Sequence, residues 1–144
     1  MDAQAHAEAV VAKMRSLDGF SAWMGLEIVS LSPGHATCRM KIRQEMLNGF
    51  GSCHGGITYA LADSAFAFAA NTHGRVSVAL DVSISYPAAV KEGDTLSASA
   101  RELSRTENVG FYEVEVKNQS DHTVALFRGT VYRTKKTFFS ENSA

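Results

Sequence analysis

The stretch Asn48–Asn71, NGFGSCHGGITYALADSAFAFAAN, decides the reading of this chain. It opens as a glycine-punctuated loop and then runs on as about four turns of almost uniformly apolar helix. From Gly56 to Ala70 the polar side chains are Thr58, Asp63 and Ser64. A helix that is apolar on every side is normally buried on every side, which places Asp63 inside the protein. Its helical neighbours Tyr59, Ala60, Phe66 and Ala67 offer nothing that pairs with a carboxylate. Burying an unpaired carboxylate is costly, so it persists for a reason. Either Asp63 does chemistry, or it is a structural acid held by Ser64, a backbone amide or an arginine from a strand.

Just before the helix, Cys53-His54-Gly55-Gly56 puts backbone N–H groups at a helix N-terminus. Such donors, with the positive end of the helix dipole, can hold an anion or a developing oxyanion. Gly55 and Gly56 leave room for close approach, although a Gly-Gly pair also serves as a plain flexible helix start. Asp63 lies eight residues beyond Gly55, about 12 Å along the axis. One helix therefore cannot bring this carboxylate onto its own N-terminus, and a neighbouring subunit's helix, lying antiparallel, could. Cys53 beside His54 resembles a nucleophile and its base, but adjacent residues of an extended loop point opposite ways. His54 reads better as a polar ligand to a carbonyl. Asn48 offers a donor and an acceptor, and Asn48-Gly49 is also an ordinary turn pair.

Outward from this stretch, residues 2–17 read as an amphipathic helix ended by Gly19, and Phe20–Gly25 as a short helical turn whose aromatics plug the core. Residues 26–31 and 36–42 alternate like strands around the turn Ser32-Pro33-Gly34. Further strands are expected at 76–86, ended by Pro87, and at 95–103, 109–116 and 123–132. The tail after Thr134 is expected to be loose. Strands in runs with segregated helices give an α+β class, in one domain spanning residues 1–144. A central helix needing cover on all sides also points to an oligomer.

With 45% hydrophobic and 20% charged residues the composition is that of a soluble globular protein. A net charge of −1 gives no basic footprint, which argues against nucleic acid and anionic membranes as partners. No apolar run has the length of a membrane span, and the N-terminus lacks the apolar core of a signal peptide. Cys38 and Cys53 are expected as free thiols in a reducing cytoplasm. The five histidines show no metal-ligand spacing, so no metal is expected.

Met46-Leu47-Asn48-Gly49, Ser52-Cys53-His54-Gly55-Gly56, Leu61-Ala62-Asp63, Ala65-Phe66-Ala67 and Asn71, taken together, resemble the PaaI-type acyl-CoA thioesterases of phenylacetate catabolism. These belong to the hotdog-fold superfamily. The likeness continues through Ile84-Ser-Tyr-Pro-Ala88, Gly93-Asp94-Thr95-Leu96 and Thr123-Val-Ala-Leu-Phe-Arg-Gly129. It implies a long helix wrapped by a curved antiparallel sheet, homodimers paired into tetramers, and active sites at the dimer interface. It further implies Asp63 as nucleophile or general base on a thioester bound by the other subunit, and Gly55 as the oxyanion donor. Asn48 and His54 would orient the carbonyl or the water, while Gly56, Phe50, Phe66 and Ala79 would contact the acyl-CoA. Related enzymes often carry Ser or Thr where Ala79 falls, with Ser77 and Asp81 two residues to either side, so an auxiliary hydroxyl is in question. No cofactor is implied, coenzyme A being part of the substrate. Its phosphates would seek Arg101, Arg105, Arg128 or Arg133. The rival readings are a hydratase or dehydratase on the same fold and a non-catalytic acyl-CoA-binding oligomer.

Overall fold

The structure is a computed structural model that describes residues 2–140. Helix α1 (Ala3–Ser16) starts at an Asp2 cap, whose carboxylate accepts from the Ala5 N–H, and α2 spans Gly19–Met24. Strands β1 (Glu27–Ser32) and β2 (His35–Lys41) follow, then a 3-10 turn at Gln44–Met46 and the central helix α3 (Gly55–Asn71). The chain closes with β3 (Arg75–Ser85), β4 (Thr95–Arg105), β5 (Val109–Lys117) and β6 (Thr123–Thr137). All six strands form one antiparallel sheet in the order β1-β2-β4-β5-β6-β3. No helix among the described residues is long and apolar enough to cross a membrane.

The expected α+β architecture is present, with α3 lying across the inner face of the sheet. Small residues on the strands let the helix approach: Ala98 and Ala100 on β4 are buried beneath it. At Gly129 on β6, a Cβ would stand 2.5–2.8 Å from the ring of Phe66. The far end of α3 is tied to the sheet by the buried Asn71. Its Nδ2 donates to the Ala67 and Ser77 carbonyls, and its Oδ1 accepts from the Ser77 N–H at 2.8 Å.

Three expectations need correction. First, Asp63 does not sit inside the chain, because α3 is bare along one side, the side that the expected second subunit would cover. Gly56, Tyr59, Ala60, Asp63, Ser64 and Ala67 form one stripe that stays half-exposed or exposed, because a single sheet shields only the opposite side. Asp63 is therefore half-buried rather than enclosed. Second, the segment after Thr134 is not loose: β6 continues to Thr137 against Arg75, and the Phe138 N–H donates to the Gly74 carbonyl. Lys13 adds a hydrogen bond to the Phe138 carbonyl and sits 5.0 Å from the Phe139 ring centre. Residues 141–144 lie outside the described residues. Third, Phe20 and Trp23 do not plug the core. They stack on each other at the surface with Arg43 over Trp23, and Ser21 and Met24 are the buried members of α2.

The two outer strands differ. Both β1 and β3 are paired on one side only, and α1 lies against β1. The open β3 edge carries exposed Val78 and Leu80, with a register slip between Ala79 and Asp81.

Candidate active site

The loop before α3 is held shut by its own backbone. Asn48 N–H donates to the Ser52 carbonyl and Gly51 N–H to the Asn48 carbonyl, with Gly51 at φ 79°. The Asn48 Oδ1 accepts from the Phe50 and Ser52 N–H groups. The turn-forming reading of Asn48 thus accounts for its oxygen. Its Nδ2 has no partner among the described residues and remains a donor for something else. Phe50, at the tip, is 94% exposed.

At the start of α3, His54 is the cap: its Nδ1 accepts from the Gly56 N–H at 2.9 Å, and its carbonyl accepts from Ile57 N–H. The Gly56 donor is therefore spent on the cap. Gly55 N–H, by contrast, has no partner among the described residues. It is one of the orphan donors that every helix start presents. Its setting is fixed by Tyr86, whose hydroxyl donates to the Gly55 carbonyl at 2.9 Å and would stand 3.3 Å from a Cβ on that residue. Tyr86, Asn48, Ser52, Cys53 and Gly55 share the wall of an open cavity of about 370 Å³. Tyr86 entered the sequence reading only within the Ile84–Ala88 stretch of the resemblance and with no role, since its contact with Gly55 spans 31 residues.

Cys53 is no activated thiol. Its Sγ lies 3.5 Å from the His54 carbonyl and 3.9 Å from the Thr58 hydroxyl, and burial pushes its pKa up. Cys38 is buried deeper, and burial pushes it to about 12. Both are free thiols.

Asp63 stands on the uncovered stripe of α3. No hydrogen bond or ion pair to it exists among the described residues, so neither Ser64 nor a strand arginine holds it. Burial raises its pKa. The Tyr59 phenol, four residues before Asp63 on the same helix, is raised by burial and then by the charge of that carboxylate. The eight-residue separation along α3 keeps Gly55 and Asp63 of one chain about 12 Å apart.

Phe66 is a correction. Only 1% exposed, it points at the sheet and packs its ring on Tyr112 and Phe127 at 5.8 and 5.4 Å. It is core, with no surface left for substrate. Ala79 is exposed on the open β3 edge. Of the four arginines, Arg101 is paired with Glu113, and Arg133 donates to the Thr106 and Glu107 carbonyls. Arg105 is 3.9 Å from Glu102, and Arg128 has no ion pair among the described residues.

Comparison with known proteins agrees with this architecture. Residues 50–125 match the family model of the Thioesterase superfamily. The chain is 40% identical to the acyl-coenzyme A thioesterase PaaI of Escherichia coli K12 over 124 residues, covering 86% of this chain and 89% of that one. It is 42% identical over 111 residues to a putative esterase of Archaeoglobus fulgidus, covering 77% and 72%. The structure of E. coli PaaI superposes with a TM-score of 0.92 at 37% identity, over 94% of this chain and 99% of that one. A protein from Streptococcus mutans UA159 bound to acetyl CoA superposes at 0.75 and 29% identity, over 78% and 90%. With half its length in the family model and close relatives matched nearly end to end, this hotdog-fold chain belongs to the Thioesterase superfamily.

Proposed function

We propose that the protein is an acyl-CoA thioesterase that hydrolyses phenylacetyl-CoA or its ring-hydroxylated forms, in a site built from two chains. The observation that carries the reading is Asp63: a carboxylate desolvated on a helix face, with its pKa raised and no partner to explain it. A structural acid would have found a hydrogen bond. The acyl group rests on the likeness to E. coli PaaI, and the CoA on that likeness and on the S. mutans protein bound to acetyl CoA.

In this reading two copies join along their open β3 edges. Edges of one kind related by a twofold axis run antiparallel, and the two α3 helices do likewise. If they cross at Tyr59, midway between Gly55 and Asp63, each Gly55 N–H meets the partner's Asp63. The partner helix covers the bare stripe and excludes water, and two such dimers assemble into a tetramer. The thioester carbonyl oxygen sits on Gly55 N–H, with Asn48 Nδ2 and the far nitrogen of His54 within reach of the carbonyl or water. As general base, the partner's Asp63 takes a proton from water while the water oxygen bonds to the carbonyl carbon. The C=O electron pair moves onto the oxygen held by Gly55. Collapse of that intermediate breaks the C–S bond, and the departing thiolate receives the proton. As nucleophile, the same carboxylate bonds to the carbonyl carbon and the C–S bond breaks to give an anhydride. Water then opens it to the free acid and the aspartate, and the thiolate takes up the water's proton. No cofactor enters either route, and a cytoplasmic setting suits both the free thiols and the CoA substrate.

The test is Asp63→Asn, followed by release of free thiol from phenylacetyl-CoA. Turnover is expected to fall by about 10²-fold or more, the usual worth of a positioned base. An unchanged turnover number removes Asp63 from the mechanism. A wild type that binds the thioester and never releases thiol makes the protein a binder.

A further inference from the structure

The C-terminal end of α3 holds a second concentration of charge that the reaction above does not use. His73 Nε2 and the Tyr112 hydroxyl both lie 2.8 Å from Glu102 Oε1, and Arg105 Nε is 3.9 Å from the same oxygen. Arg105 reaches this face because the strand slips register between Glu102 and Ser104. Next to it, Arg75 and Arg133 converge: Nη1 of each donates to the Glu107 carbonyl, at 2.8 and 3.2 Å. Three guanidinium groups thus gather around two carboxylates: Glu102, already shared by two donors, and Glu107, whose 84%-exposed side chain lies 3.3 Å from Arg75. The mutual repulsion is felt: Arg133 is held below the ordinary arginine range by burial, then by Arg75 and Arg105. Clustered like charge of this kind is the usual preparation for a multiply charged anion.

The cluster also lies at a telling distance. Ten residues of α3 and its cap separate Asp63 from His73, about 15 Å along the axis. The pantetheine arm of CoA separates its sulfur from its diphosphate by a comparable extended length. The other two arginines considered from the sequence are worse placed. Arg128 follows Phe127 and precedes Gly129, both of which face Phe66, so it projects from the opposite side of the sheet. Arg101 is on that outer side as well and is paired with Glu113.

We propose that Arg75, Arg105 and Arg133 bind the phosphate groups of the CoA whose thioester is attacked by Asp63 of the same chain, at the partner's Gly55. The proposal rests on the two-chain thioesterase reading. It assigns each subunit two duties toward one substrate: the chain that supplies the carboxylate also supplies the phosphate seat, and the other supplies the oxyanion donor.

Arg105 is the residue to change, because Arg75 and Arg133 also brace the turn at Thr106–Asn108. Steady-state kinetics of wild type, Arg105→Ala and Arg105→Lys are compared on phenylacetyl-CoA and on phenylacetyl-pantetheine, which has no phosphates. Arg105→Ala is expected to raise KM for the CoA ester about tenfold, the loss of one charge-assisted contact, with kcat nearly unchanged. The lysine variant recovers most of that loss, and kcat/KM on the pantetheine ester does not move. Adenosine 3′,5′-bisphosphate competes with the CoA ester in wild type and more weakly in Arg105→Ala. Equal losses on both esters, or no loss on the CoA ester, overturn the phosphate seat. A wild type that hydrolyses neither ester overturns the thioesterase reading instead.

Discussion

Asp63 is a residue whose ionised form the fold disfavours. In the unfolded chain it titrates near the ordinary 3.8, and in the folded protein burial moves it higher. Between those two values the folded chain binds more protons, so stability falls as pH rises through that window. Above it, the full cost of an ionised, desolvated carboxylate is present. Asp63→Asn is therefore expected to melt at a higher temperature than wild type at neutral pH, with the gap closing below the ordinary carboxylate range. Wild-type kcat should fall as pH drops through the raised value, since both routes require the carboxylate form. Thermal melts of the two proteins from pH 3 to 8 check the first point. An asparagine variant no more stable than wild type at neutral pH would mean that the site favours the charge. That Asp63 has no side-chain partner on its own helix was readable beforehand, because a lone acid in an apolar helix is a local pattern. The extent of its burial was not: that depends on which side of α3 the sheet covers, and a helix apolar all round carries no stripe to say so. The same gap explains Phe66, which helical spacing put near Asp63 and the sheet claimed for the core.

Among the elements, α3 and β6 approach tightly at Gly129, where the Phe66 ring fills the space a side chain would take. Gly129→Ala forces that ring into Tyr112 and Phe127, and overpacking of this kind costs about 1–3 kcal/mol. Denaturant unfolding should show the midpoint drop with an unchanged slope, and Phe66→Leu in the same chain should recover part of it. A midpoint equal to wild type would show that the ring has room to turn aside. Element positions were legible from alternation and turn chemistry, as the Ser32-Pro33-Gly34 turn between β1 and β2 shows. The exception is the end of β6, where Lys135, Lys136 and Thr137 have no apolar alternation. Those residues are ordered by long-range contacts, the pairing with Arg75 and the reach of Lys13 to Phe138. No local window contains those partners.

At the scale of the molecule, one chain holds two halves that cannot meet: a donor at Gly55 and an acid about 12 Å further along the same helix. Two lesions, one in each half, should therefore complement. Gly55→Pro removes the N–H while suiting the backbone, because the first helical position favours proline and His54 before it is already extended at φ −61°, ψ 133°. Asp63→Ala removes the acid. Each variant alone is expected to be nearly inactive. After the two are mixed and allowed to exchange subunits, half of the dimers carry one chain of each kind. Each mixed dimer has one intact site, pairing the alanine chain's Gly55 with the proline chain's Asp63, and one site damaged twice. Activity should return to about a quarter of wild type for random exchange at equal concentrations. Mass spectrometry of differently tagged chains establishes that exchange has occurred. Complete exchange without recovery would confine each site to a single chain. Asp63 could then not reach the Gly55 donor, and the open β3 edge and the bare stripe on α3 would need another explanation.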